Sequence, residues 1–168
     1  MSILTQQVHF PDADNDWVFN DQASMRSNWS ISPFYYIKLE SADGIYGSDI
    51  STESHPVPNL IGEKSGDAFR RGKGVTLSGF IEGRNPYDLD VAADYLGQAF
   101  WKTYGRRLIW YYVDGTQIYL VCRVFNDLSI TPNYSTLQPR WSWTVGLRAD
   151  DPRTRRIDDD AVYPTWQA

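Results

Sequence analysis

The stretch RWSWTVGLRADDPR, residues 140–153, sets two carboxylates, Asp150 and Asp151, side by side. Such a pair could supply hard oxygen ligands to a divalent cation or take part in proton transfer. Consecutive residues of a strand point to opposite faces, so these two groups converge only if the chain turns between them. Pro152 follows and cannot continue a hydrogen-bonded ladder, so the pair reads as the solvated exit of a strand. Asp158, Asp159 and Asp160 form a second acidic run, read as a solvated stretch of tail rather than a cation site. The two histidines, His9 and His55, lie in unrelated segments without the short spacing of zinc ligands. The single cysteine, Cys122, sits between Val121 and Arg123 in an apolar run and reads as a packed thiol, not a nucleophile. The stretch RRGKG, residues 70–74, lacks the G-x-x-x-x-G-K-S/T spacing of a phosphate loop and leads into a strand rather than a helix. It reads as a solvated basic loop, or as an acid-binding patch in which Arg70 and Arg71 meet a subunit contact. SGFIEG does not match the G-x-S-x-G nucleophile elbow. The expectation is a structural or binding protein, not an enzyme, with no catalytic set, no metal and no cofactor.

Bulk properties narrow the classes further. A chain of 168 residues suits one domain, or one domain with arms, and buries enough surface to need no staples. One cysteine excludes an internal disulfide. A net charge of −5 argues against a general nucleic-acid binder, but suits a surface past which DNA slides without sticking. The opening MSILTQQVHF lacks the basic start and apolar centre of a signal peptide, and no apolar run approaches a transmembrane helix of about 20 residues. The expected place of synthesis is a reducing cytoplasm, without membrane association. Aromatic residues make up 15% of the chain, with seven tryptophans, a density that favours strands and subunit interfaces.

These residues must be positioned by a set of strands and one helix. ILTQQVHF and WVFND suggest two short strands around the polar turn DADND, and PFYYIKLE (33–40) a longer one. Residues 45–72 hold prolines 56 and 58, several glycines and many small polar residues, and are expected to form a long irregular loop. GVTLSGFIEG (74–83) reads as a strand with Val75, Leu77, Gly79 and Ile81 on one face. Asn85 as N-cap, Pro86 in the first helical position and Asp88 in the first turn predict a helix. Its apolar stripe is Leu89, Ala92, Ala93, Leu96, Phe100 and Thr103, with Gly105 expected to end it. RRLIWYYVDGTQIYLVCRVF predicts a hairpin with a two-residue type I′ turn at Asp114–Gly115. Its second strand is apolar on both faces, with Ile118, Leu120, Cys122 and Val124 on one and Tyr119, Val121 and Phe125 on the other. Such a strand is covered twice, so Tyr119, Val121 and Phe125 are expected at an interface. In the last strand Trp141, Trp143, Val145, Leu147 and Ala149 should point inward. Residues 1–152, including the loop 45–72, are expected to form one domain. Residues 153–168 are expected to form a C-terminal arm, with Tyr163 and Trp166 as docking anchors.

The order of these motifs resembles the distal tail proteins of long-tailed bacteriophages. The resemblance rests on Gly74, Gly79, Ile81 and Gly83 before the helix. After the hairpin it rests on Leu147, Ala149, Asp151 and Pro152, and it spans roughly residues 30–153. It implies an α+β, mainly β fold: a tail-tube-like β-barrel or sandwich flanked by one helix. It also implies a homohexameric ring in the virion tail tip, joining the tail tube protein to the hub or tail-associated protein and lying near the tape measure protein. DNA would pass through its lumen without specific binding. Many members carry a further carbohydrate-binding-like domain beyond this point, so the chain reads as the ring domain alone. The rival readings are a small carbohydrate-binding or capsid-decorating β-sandwich and, more distantly, a metal-dependent hydrolase using Asp150 and Asp151.

Overall fold

The structure is a computed structural model. It describes residues 7–20, 34–45, 72–112, 114–133, 140–151 and 153–157 in full, and residues 50–56 and 63–70 as backbone. Among the described residues ten strands and one helix follow in order: β1 (Val8–His9), β2 (Val18–Phe19), β3 (Tyr35–Asp43), β4 (Ile50–Pro56), β5 (Glu63–Arg70), β6 (Lys73–Gly83), α1 (Pro86–Trp101), β7 (Arg106–Tyr111), β8 (Gln117–Thr131), β9 (Arg140–Ala149) and β10 (Arg155–Arg156). All pairings among the described residues are antiparallel. The main sheet runs β2-β1-β7-β8-β9-β6-β3, with β10 also on β8.

The long strand β8 makes this path curl. Its first part, Gln117–Cys122, pairs with β7, and its second, from Arg123 to Thr131, pairs with β9. The register shifts after Val124 and again after Asn126. Extra residues in one strand bend it and increase its twist, which turns the β9-β6-β3 side against the β7-β1-β2 side. The two ends of the path, β2 and β3, then meet at Asn20. Its backbone N–H donates to Ile37 O at 3.3 Å, its Nδ2 donates to Leu39 O at 3.2 Å, and its Oδ1 accepts from Leu39 N at 2.9 Å. The side-chain amide thus stands in for a strand's peptide group. Asn20 has φ 61°, a left-handed conformation that asparagine tolerates better than most residues. The mainly-β fold with one flanking helix is as expected, but its strand path is not closed into a barrel by a ladder.

The helix begins as the sequence predicts. The Asn85 side chain accepts from Asp88 N at 3.0 Å, satisfying an otherwise orphaned N–H, and Pro86 stands first in the helix. Asp88, fully buried, accepts from the backbone N–H groups of Phe34 at 3.1 Å and Arg84 at 3.2 Å. Gly83 lies close beneath it: a Cβ there would meet the Asp88 Cβ at 2.9 Å. Leu89, Ala92, Leu96, Ala99 and Phe100 enter the core with Phe10, Phe19, Trp110 and the inward row of β9. Phe100 packs on Phe19 at 5.8 Å and on Trp143 at 6.1 Å between ring centroids.

Four expectations are corrected. The helix stops at Trp101, with Lys102 already extended at ψ 130°, so Thr103 and Gly105 lie beyond it. Arg106 must turn inward to start β7, and the chain leaves the helix early to allow this. The β7–β8 turn is not type I′, because Gly115 takes positive φ (85°) and Asp114 does not. Gly115 N bonds Tyr112 O at 3.0 Å and Tyr112 N bonds Thr116 O at 2.9 Å, the pattern of a three-residue loop with a glycine bulge. The stretch 45–72 is not wholly irregular: β4 and β5 form a two-stranded sheet of their own. A ladder is made by backbone groups, so its polar sequence does not forbid it, and Pro56 stands at the end of β4 where it removes no interior bond. Finally, the segment after Pro152 does not leave the sheet at once, since Arg155 and Arg156 pair with Tyr119 and Ile118.

Candidate interaction surfaces

The acidic pair at the end of β9 splits as strand geometry requires. Asp150 faces two arginines, with Arg123 Nη2 at 3.4 Å and Arg148 Nε at 3.7 Å. Asp151 turns the other way. It accepts from the backbone N–H of Arg153 at 3.1 Å, from the Arg153 guanidinium at 2.8 Å and from Arg155 at 3.0 Å. The Arg153 side chain is the main reason the Asp151 carboxyl is held far below its ordinary range. The two carboxylates serve different arginines and do not converge. Among the described residues no group of three or more His, Cys, Asp or Glu side chains is placed to hold a metal ion.

The doubly apolar strand is divided more finely than its pattern suggests. Ile118, Leu120 and Cys122 lie in the core, and burial pushes the Cys122 thiol up to about 12. Tyr119, on the other face, is also buried, because β10 runs alongside it and the Arg107 guanidinium lies 4.7 Å from its ring centroid. It is therefore covered by its own chain. Val121 and Phe125 remain exposed, Phe125 at 61%, with the Arg148 guanidinium 5.5 Å from its ring. The side chains of Arg70, Arg71, Tyr163 and Trp166 lie outside the described residues.

A second exposed surface has no counterpart in the sequence reading. The outward stripe of α1 carries Tyr87, Asp90, Asp94, Gln98 and Trp101, and Trp101 is 83% exposed. The spacing was available in the sequence, since these positions follow the helical period opposite the apolar stripe. Residue type argues the other way, because a tryptophan is more often buried than exposed.

The polar centre around Asp12 was also missed. Asp12 Oδ1 accepts from the N–H groups of Asp14 at 2.8 Å and Asn15 at 2.9 Å. Its Oδ2 accepts from Trp17 Nε1 at 3.1 Å and faces Lys102 Nζ at 3.2 Å and Arg106 Nη1 at 3.8 Å. The carboxylate is shielded by its own donors rather than by depth. The Asp14 N–H is the largest of the influences that hold its pKa far below 3.8. Lys102, bonded to Asp14 at 3.0 Å and to Asp12, is raised to about 12. Arg106 is buried against the Phe10 ring at 3.8 Å and donates to Ala99 O at 2.5 Å. The centre ties the β1–β2 turn to the end of α1 and the start of β7. DADND carries the local signal of an Asx turn, but no spacing rule links Asp12 to Lys102 and Arg106.

No protein-family model and no curated protein sequence matches the chain. Among the described residues no helix is long and apolar enough to cross a membrane. Among solved structures, the fold is similar to that of the Dit protein (gp 19.1) of SPP1, described as a paradigm of the hub adsorption apparatus in phages that infect Gram-positive bacteria. The TM-score is 0.52 at 12% sequence identity, over 68% of this chain and 44% of that one. This chain thus spans less than half the length of the chain it matches, and what the two share is a fold.

Proposed function

We propose that this chain is a structural component of a phage tail tip, a homohexameric ring that joins the tail tube to the hub and lets DNA pass, and not an enzyme. The observation that carries the reading is the shared fold with SPP1 Dit, found in a chain whose motif order independently resembles distal tail proteins. The split acidic pair supports it, since Asp150 and Asp151 are committed to different arginines. The partners it implies are further copies of the chain, the tail tube protein, the hub or tail-associated protein and the tape measure protein, in the virion.

The sugar-binding rival needs a continuous aromatic platform. Tyr87 and Trp101 stand at opposite ends of α1, roughly 21 Å apart at 1.5 Å per residue, and Phe125 lies on a different face. Negative-stain images and mass photometry of the purified chain test the ring reading. An annulus with a central hole and a mass about six times 19.3 kDa is expected. A monomer at every concentration, with no annulus, overturns it.

A further inference from the structure

The helix of residues 86–101 contains three aspartates and no lysine or arginine. Asp88 is buried, while Asp90 and Asp94 face out on the stripe bounded by Tyr87 and Trp101. The cations at its two ends are turned elsewhere, Arg84 onto Asp88 and Lys102 onto Asp12 and Asp14. Asp94 accepts from the neutral Gln98 amide at 2.8 Å, which leaves its charge in place. The stripe is therefore acidic along its middle and aromatic at both ends.

The opposite side of the molecule carries the complementary chemistry. In β9 the buried row from Trp141 to Ala149 faces α1, with Trp143 against Phe100, so Arg148 points away from the helix. Arg123 of β8 stands on the same outer face. The two guanidiniums share one carboxylate, Asp150, and their side chains are 49% and 46% exposed. Phe125, 61% exposed, lies beside Arg148, and Val121 precedes it along β8. Two guanidiniums that share one carboxylate thus lie beside an exposed apolar strip.

We propose that the outward stripe of α1 in one copy of the chain seats on the outer face of β8 and β9 in the next copy. Asp90 and Asp94 then lie against Arg123 and Arg148, and Trp101 lies against Phe125 and Val121. The contact rests on the ring reading and specifies which surfaces meet. Two acidic stripes repel each other and so do two arginine faces, which disfavours a two-fold pair. Different patches join head to tail, and such contacts close into a ring when the rotation from one copy to the next closes. Charge complementarity of this kind fixes partner and register, and burial of the aromatic groups supplies affinity.

The test uses the full chain, followed by sedimentation velocity and mass photometry, with far-UV circular dichroism and thermal midpoint as checks of folding. The double variants Asp90→Arg/Asp94→Arg and Arg123→Glu/Arg148→Glu are each expected to lose assembly, since like charges then face each other. An equimolar mixture of the two is expected to regain it, because the reversed helix meets the reversed strand face and the native helix meets the native one. Only chains that fold can complement in this way. Trp101→Ala alters an 83% exposed side chain and is expected to weaken association at least about tenfold. Wild-type assembly in both double variants and in Trp101→Ala overturns the contact while leaving the ring reading intact. Loss of assembly without recovery on mixing also overturns it. A wild-type chain that remains monomeric at every concentration overturns both.

Discussion

Two parts of the molecule are anchored to the sheet by strands only two residues long, yet in opposite ways. At the N-terminal side, β1 and β2 bring Val8, Phe10, Trp17 and Phe19 into the core. Their polar groups are shielded as well: Asp12 has 1% of its side chain accessible, and Asn20 is buried against Leu39. At the C-terminal side, β10 is held beside β8 by Asp151, Arg153 and Arg155, whose side chains are 35%, 71% and 33% accessible. Both regions contain a carboxylate held far below its ordinary pKa, Asp12 by backbone N–H groups and Asp151 by arginine side chains. The shift alone does not measure what each contributes. A shielded carboxylate leaves buried partners stranded when it is lost, whereas an exposed one is replaced by water and screened by salt.

The largest effect should come from Asp12. Asp12→Ala takes the facing carboxylate from the buried Arg106 guanidinium and from Trp17 Nε1, and is expected to cost about 3 kcal/mol, the lower edge for removing one partner of a buried pair. Urea unfolding measures it. A cost equal to that of Asp151→Ala would erase the contrast between the two regions.

Asn20→Gly comes next, because glycine accepts φ 61° and the substitution removes only the amide. Leaving the Leu39 N–H and C=O without that partner should cost about 2 kcal/mol. Hydrogen exchange should show the Leu39 amide losing protection well before the amides of β6. An unchanged Leu39 would mean that the seam between β2 and β3 is held by something other than Asn20.

A smaller effect is expected at the exit. Asp151→Asn should cost less than about 1 kcal/mol, and the difference from wild type should vanish in about 1 M salt. In exchange experiments β10 should open before β1 and β2. A salt-independent loss would place Asp151 with the shielded groups.

The pH dependence separates the two regions most finely. Both carboxylates have depressed folded pKa values, so each contributes stability that is present above the ordinary value of 3.8 and lost as pH falls below it towards the folded value. Between pH 7 and about 5 neither should contribute a slope. Below pH 4, the acid slope of the wild type should lose a salt-independent part in Asp12→Asn and a salt-sensitive part in Asp151→Asn. A slope unchanged by either substitution would show that other carboxylates govern the acid limb.

The helix start was legible because its signals are local. Asn85 accepts one orphaned N–H of the first turn, and Pro86 has none to satisfy, whatever the rest of the chain does. The inward row of β9 was equally legible, since the period-2 alternation of Trp141, Trp143, Val145, Leu147 and Ala149 has one low-energy placement. Composition and alternation therefore determined the helix, the strands that line the core and most of that core, but not β4, β5 or β10. They could not determine which of two apolar faces the chain covers itself. Tyr119 and Phe125 share a face of β8 in the pattern, but β10 and Arg107 reach only Tyr119, and that depends on where residues 150–157 turn. Nor could they foresee Asp12 with Lys102 and Arg106, or Asn20 with Leu39, pairs far apart in the chain. Such pairings are set by how the sheet curls, because a charge or an amide carries no record in sequence of the partner that folding will bring to it.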